Sequence, residues 1–150
     1  MVNNQQAVVL TAAGLAVIAL VVAVVILTSV HLQTSGTIIT NNPNLKIFAD
    51  AAVTKEISSV LWGNITPGGS ADVTLWIKNN GNMPLTLTMT ESNYTPATAT
   101  NYLTLTWNQE NTKIQPGAAV ACDLLLKVTP VVADLTDFAF QITINGDGNR

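Results

Sequence analysis

The chain has few of the residue types on which most enzyme sites depend. Among its 150 residues it has one histidine, His31, and one cysteine, Cys122. An intrachain disulfide and a zinc site of several Cys and His ligands are therefore excluded. A Ser-His-Asp triad is not credible with one histidine and no G-x-S-x-G turn, and no glycine-rich phosphate-binding loop occurs. We predict that the protein is not an enzyme and takes no cofactor.

Charged residues are also scarce, which limits the partners that the protein can have. Six Lys and Arg against nine Asp and Glu give a net charge of −3, without any basic cluster. We therefore exclude nucleic acid as a partner. Asp134 and Asp137 flank one loop, and NGDGN at 145–149 is similar to the first part of a calcium loop. It lacks the bidentate glutamate of such a loop, so we predict a polar segment and no metal site.

The longest uncharged stretch lies near the N-terminus. AVVLTAAGLAVIALVVAVVILTSV, from Ala7 to Val30, has twenty-four residues. As a helix it would be about 36 Å long, enough to cross a bilayer. A cleaved signal peptide fits poorly, because the basic residues before its apolar region and the A-x-A-like site after it are missing. His31 follows the segment without a second metal ligand near it in sequence, so we expect an interfacial residue.

Four alanines in this segment predict a helix-packing face. They recur at spacings of four, three and four and would lie on one side of a helix, where small residues allow close packing. These alanines are Ala12, Ala16, Ala19 and Ala23. A lone membrane anchor could show the same stripe, so self-assembly through the helix and simple anchoring both stay open.

Two N-x-S/T sequons predict on which side of the membrane the C-terminal domain lies. No Lys, Arg, Asp or Glu precedes Lys46, so flanking charge gives no orientation. Asn64 in NIT and Asn93 in NYT are candidate glycosylation sites, which matter only outside the cytoplasm. We expect an external C-terminal domain.

From Ser35 onwards apolar and polar residues alternate with a period of two, which is typical of half-buried strands. The candidate strands are SGTIIT, LKIF, EISSVLW, ADVTLWIKN, PLTLTMTE, YLTLTW, AVACDLLLKV and FAFQITIN. The predicted fold is mainly β: an N-terminal hydrophobic α-helix, then an immunoglobulin-like antiparallel β-sandwich of about seven or eight strands. We assign the hydrophobic helix to residues 1–31, a linker with a short strand to 32–44, and the sandwich to 45–150.

Two side chains of the sandwich need separate interpretation. By alternation Trp76 lies on an outward face, so it is a candidate surface contact, and packing against a neighbouring loop or the N-terminal strand is an equal alternative. Cys122 is in phase with Val120 and Leu124, which predicts a small buried side chain.

The stretch LWGNITPGGSADVTLWIKNNGNMPLTLTMTESNYTPATATNYLTLTWN, with IQPG and FAFQITING, resembles a group of archaeal surface proteins. The resemblance covers about residues 35–146 and implies an N-terminal hydrophobic helix followed by one immunoglobulin-like sandwich. The layout is also similar to that of archaeal pilins, although their short basic leader is missing. A third similarity is to filament proteins that donate an N-terminal strand to the next subunit. Ser35–Thr40 is the donor candidate here, with a first strand of the same domain as the favoured alternative.

Two functions follow from these patterns. The first is a non-catalytic subunit of an extracellular, pilus-like surface filament, in which copies assemble through their N-terminal helices and contact the membrane at least before assembly. The alternative is a single-pass membrane protein that presents the sandwich outside the cell as a binding or adhesion module. We favour the filament, because the charge-free N-terminal region extends beyond the length that a bilayer needs.

Overall fold

The computed structural model describes residues 32–40, 42, 44–133 and 135–148, which belong to one unit of the chain, His31–Arg150. Along these residues nine strands and one short 3-10 helix succeed one another. The strands are β1 (Leu32–Thr40), β2 (Leu45–Phe48), β3 (Ser59–Ile65), β4 (Ser70–Asn79), β5 (Leu85–Thr95), β6 (Leu103–Trp107), β7 (Lys113–Ile114), β8 (Ala119–Val128) and β9 (Asp137–Gly148), and the 3-10 helix is Ala97–Asn101.

The strands form two sheets. Sheet A has the order β3-β1-β9-β5-β7, and sheet B has the order β2-β4-β8-β6. All neighbours in both sheets pair antiparallel except β1 and β9, which run parallel. The described part of the chain is therefore a mainly β, two-sheet structure with one parallel pair.

The predicted fold class is wrong in three respects. The described residues contain no α-helix. They form nine strands instead of seven or eight, because the two-residue strand β7 is too short to show alternation in the sequence. The sheets are not wholly antiparallel, since β1 enters sheet A beside β9 in the same direction.

The predicted N-terminal helix lies outside the described residues, and with it the packing face at Ala12, Ala16, Ala19 and Ala23. Where the structure does describe the chain, no helix is long and apolar enough to cross a membrane. The pilin-like and transmembrane-helix interpretations therefore have no support in the structure.

Alternation along the central strands builds the core between the sheets. Because successive side chains of a strand point to opposite faces, every second residue of β4, β8 and β9 turns inward. The fully buried apolar side chains of these strands include Leu75, Ile77, Leu124, Leu126, Ile142 and Ile144. Burial of a side chain of this size contributes about 1.5–3 kcal/mol relative to exposure, so this layer is the main source of stability.

Cys122 lies in the same buried layer, as the alternation of β8 predicts. Its side chain is fully buried in β8, opposite Leu75 of β4. Burial, and then the nearby charge of Asp123, raise the pKa of the Cys122 thiol to about 12. The group is therefore a protonated, inert core side chain at neutral pH.

Asn79 is a buried polar residue that connects the end of β4 to the turn before β5 and to strand β7. Its Nδ2 donates to the carbonyl oxygens of Met83, at 2.7 Å, and Ile114, at 3.2 Å. Its Oδ1 accepts from the backbone N–H of Gly81, at 2.9 Å. The side chain is completely buried, so these bonds replace the water that burial removes.

We expect Asn79→Ala to lower the free energy of unfolding by about 2–4 kcal/mol, because it breaks three bonds and leaves buried carbonyls without a donor. Urea unfolding followed by tryptophan fluorescence measures the change. Asn80→Ala is the matched control: this neighbour is exposed and should unfold within about 0.5 kcal/mol of the wild type. Equal unfolding midpoints for the two variants would contradict the role assigned to Asn79.

We expect the thiol of Cys122 to resist a water-soluble disulfide reagent at pH 8 until the protein is unfolded, since it is buried and protonated there. The released chromophore, followed over time with and without denaturant, measures the reaction. A chain carrying Ser59→Cys, at an exposed position of β3, is the positive control and should release one further equivalent without denaturant. Rapid labelling of the native wild type would show that the thiol is accessible.

Candidate functional site at strand β1

The structure places the predicted glycosylation residues on different strands. Asn64 is exposed in β3, and Asn93 is exposed in β5. Asn93 has a positive φ of 54°, and its Nδ2 donates to Oε1 of Gln141 at 2.8 Å. Both amides can be reached from solvent, and they do not form a common site.

Trp76 lies on the outward side of sheet B, as its alternation predicts. It is half-buried in β4, opposite Phe48 of β2 and Ala121 of β8. Phe48 is itself buried and is bridged to Glu56 in the segment that follows β2. The indole is therefore partly covered by its own chain and shares no site with Asn64 or Asn93.

The described residues do not assemble a site for chemistry. They hold no group of three or more His, Cys, Asp and Glu side chains that could bind a metal ion. An open groove of about 240 Å³ runs between the end of β1, β2 and residues 56–58. Its one ion pair joins Lys46 Nζ to Glu56 Oε2 at 2.7 Å on the surface. An exposed pair of this kind contributes little, and nothing in the groove suits acid-base or nucleophilic catalysis.

Strand β1 is the unusual element of this fold. It lies between β3 and β9, which have no pairing with each other, so it joins them into one sheet. On one side it pairs antiparallel with β3, from Leu32 opposite Ile65 to Thr37 opposite Ser59. On the other side it pairs parallel with β9, and that ladder ends at Thr40. The first strand of the described residues therefore fills an interior place in sheet A, which we call the β1 slot.

The inward face of β1 is small and apolar. Gly36 and Ile38 are buried, whereas Ser35 and Thr37 on the opposite face are exposed. Ile38 is 2% exposed and belongs to the core, while Ile39, one residue further, is 41% exposed. Backbone pairing and a single large apolar side chain thus hold much of the described strand in its slot.

An aromatic row lines the floor of the slot near Gly36. The Trp62 ring stacks on Phe140 with centroids 6.3 Å apart, and Tyr94 stacks on Phe140 at 5.1 Å. Burial, and then the hydrogen bond that its hydroxyl donates to Glu91, raise the pKa of Tyr94 above its ordinary value. The tyrosine is therefore neutral at physiological pH, and the row carries no charge.

Two of the three strands at the slot, β1 and β3, carry no charged residue, whereas β9 has Asp137 opposite Gln33 at one end of the ladder. Strands β1 and β3 contain no Lys, Arg, Asp or Glu, and no such residue precedes Lys46 in the sequence. A second strand could therefore approach β3 without electrostatic repulsion or attraction. The β1 slot must therefore select its strand through backbone pairing and the fit of side chains.

Sequence reasoning identified Ser35–Thr40 but missed most of the slot. The alternation of SGTIIT shows a strand, yet nothing in it shows that the strand lies between β3 and β9. The contribution of Trp62 was also missed. A signal was available, because a glycine within a strand often marks a close approach of another group.

No protein-family model matches the chain, and no curated protein matches its sequence. The resemblance to archaeal surface proteins therefore stays a prediction. Function has to be argued from the slot and from the strand that fills it.

We expect Ile38→Ala to lower the free energy of unfolding by about 2–4 kcal/mol, because it leaves a cavity between the sheets. Ile39→Ala, the control on the outward face of the same strand, should cost less than about 1 kcal/mol. Urea unfolding of both variants measures the difference. Similar costs at the two positions would contradict the inward orientation of Ile38.

Proposed function

We propose that the protein is a non-catalytic structural subunit of an extracellular fibre, in which β1 of one copy fills the β1 slot of the next. The observation that carries the proposal is the position of β1. It is the first strand of the described chain, yet it occupies an interior place in sheet A. A second copy supplies an identical strand to the same place.

The exchange preserves the interactions that hold β1. Its hydrogen-bonding partners are β3 and β9, and its buried side chain Ile38 packs among residues of the same core. None of these partners lies within β1 itself, so each contact has the same form within one copy and between two. Exchange of an identical element is for this reason a low-cost route to assembly.

Exchange can also continue from one copy to the next instead of closing between two copies. Each copy has one strand to donate and one slot to fill, and these are different surfaces of the molecule. A contact between different surfaces is heterologous, and when it does not close into a ring it continues into a filament. Four residues, 41–44, separate β1 from β2, and four residues span at most about 14 Å, so successive copies would lie close together.

The composition of the chain supports a structural role. The described residues have no metal cluster, and their open groove has no catalytic constellation. Charge is absent from β1 and β3, so copies can meet at the slot without repulsion. Asn64 and Asn93 are both exposed, and Asn64 is the register partner of Gln33 at one end of the β1–β3 ladder.

A disulfide between β1 and β3 tests the proposal. Thr37 and Ser59 are exposed register partners, so cysteines at both positions should cross-link in the native pairing. The double variant is made in the full chain with Cys122→Ala, concentrated, oxidised and separated on a non-reducing gel. Strand exchange predicts a ladder of covalent multimers that collapses to one band on reduction.

A second pair of cysteines provides the control. Lys78 and Ala119 are register partners in β4 and β8, away from β1. Cysteines there should give only an intrachain disulfide under the same conditions. If Thr37→Cys/Ser59→Cys also gives only monomers, both in dilute solution and in any assembled material, each copy keeps its own β1 and the proposal fails. A monomeric binding or adhesion module would then be the better hypothesis.

A further inference from the structure

We propose that Gly36 and Trp62 together set the register of β1 and restrict the β1 slot to strands with a glycine at this inward position. The proposal has two parts. The register lock follows from contacts within the structure. That the lock selects a second copy of this chain as the donor rests on the proposed function.

The fit between the two residues is tight. Gly36 is buried in β1, and Trp62, in the neighbouring strand β3, is 5% exposed. A Cβ placed on Gly36 would lie 3.2 Å from Nε1 of Trp62, and 3.8 Å from the carbonyl oxygens of Phe140 and Val60. Any side chain larger than hydrogen therefore has the indole ring in front of it and backbone on both sides.

The indole ring has little room to withdraw. The ring stacks on Phe140 at an interplanar angle of 11°, and Phe140 is itself 2% exposed. Phe140 is in turn held between Tyr94 and Phe138, at centroid distances of 5.1 and 6.1 Å. In a core packed this closely, an added group forces a shift of several side chains rather than of one.

Packing alone places the ring. Nε1 of Trp62 is buried and has no hydrogen-bond partner among the described residues. A buried donor without a partner is costly, so the ring would not be held here unless its shape filled the space above Gly36. The polar edge of the indole faces Gly36, where an added Cβ would lie 3.2 Å from Nε1.

Without such a lock the register of β1 is weakly specified. From Ser35 to Thr40 the strand is S-G-T-I-I-T, and its small and β-branched side chains are too similar in size and shape to distinguish one register from another. A slip of two residues keeps the same face inward, so alternation alone does not prevent it. In one direction the slip moves Ile38 into the position of Gly36, against the Trp62 ring, where its side chain does not fit. In the other direction it places Thr34 there and leaves Gly36 in the space that Ile38 fills.

Cysteine pairs that report the register test the lock. In the Cys122→Ala chain, Thr37→Cys/Ser59→Cys reports the native register, and Ile39→Cys/Ser59→Cys reports a slip of two residues. Gly36→Val should lower the yield of the native cross-link by about tenfold or more, the effect of overpacking a core position. Gly36→Ala should act in the same direction and more weakly. Ser35→Val, on the outward face of β1, is the matched control and should leave the yield unchanged.

The rescue variant separates a specific lock from general damage. Trp62→Ala removes the ring above residue 36, so Gly36→Val/Trp62→Ala should regain the native cross-link that Gly36→Val alone loses. Regained yield supports the lock even where the single variant unfolds. An unchanged yield in Gly36→Val, or no recovery in the double variant, overturns it.

The same gels keep the two proposals apart. The register of the cross-link tests the lock, whether the disulfide lies within one chain or between two. The size of the product tests strand exchange. A native-register cross-link that depends on Gly36 but is found only in monomers would support the lock and overturn the exchange.

Discussion

The backbone hydrogen bonds that β1 makes to β3 and β9 at the same time join sheet A into a single five-stranded sheet. If β1 left its slot, both strands would present unpaired backbone groups, and the aromatic floor at Trp62 and Phe140 would lose its cover. Exposed strand edges and apolar surface are unfavourable in water and promote association. The molecule is therefore complete only when the slot is filled, and its chemistry does not specify which copy fills it.

The same constraint explains how the edges of sheet A are arranged. One edge is β7, which has only two residues and offers little backbone for pairing. The other edge is β3, whose ladder with β1 shifts register beside Gly63, a residue with φ of 72°. Short strands and irregularities of this kind discourage further pairing at an edge. Growth by open-ended edge pairing is thus discouraged, whereas filling the slot completes the sheet.

The sequence predicts the local part of this structure and not the long-range part. Alternation identified SGTIIT and ADVTLWIKN as strands, and the phase of Cys122 correctly predicted its burial. The parallel neighbour of β1 is about a hundred residues away, and local periodicity carries no signal for such a pairing. A glycine at position 36 indicates that another group approaches the strand closely. The sequence does not identify that group as Trp62, because the contact exists only once β1 and β3 are paired. The predicted N-terminal helix falls on residues that the structure does not describe.

Because exchange creates no new contact, the balance between a closed monomer and a fibre is set by concentration and by the connection to β2. Because β1 is tethered to its own slot, its effective concentration there is in the millimolar range for a short flexible linker. In dilute solution β1 therefore inserts into its own slot in preference to that of a second copy, unless strain in the connection at residues 41–44 disfavours self-insertion. A fibre of this kind would form where the chain is locally concentrated, or where β1 is kept from its own slot until a second copy arrives. The register lock acts equally in both cases, since it recognises the strand and not the copy from which the strand comes.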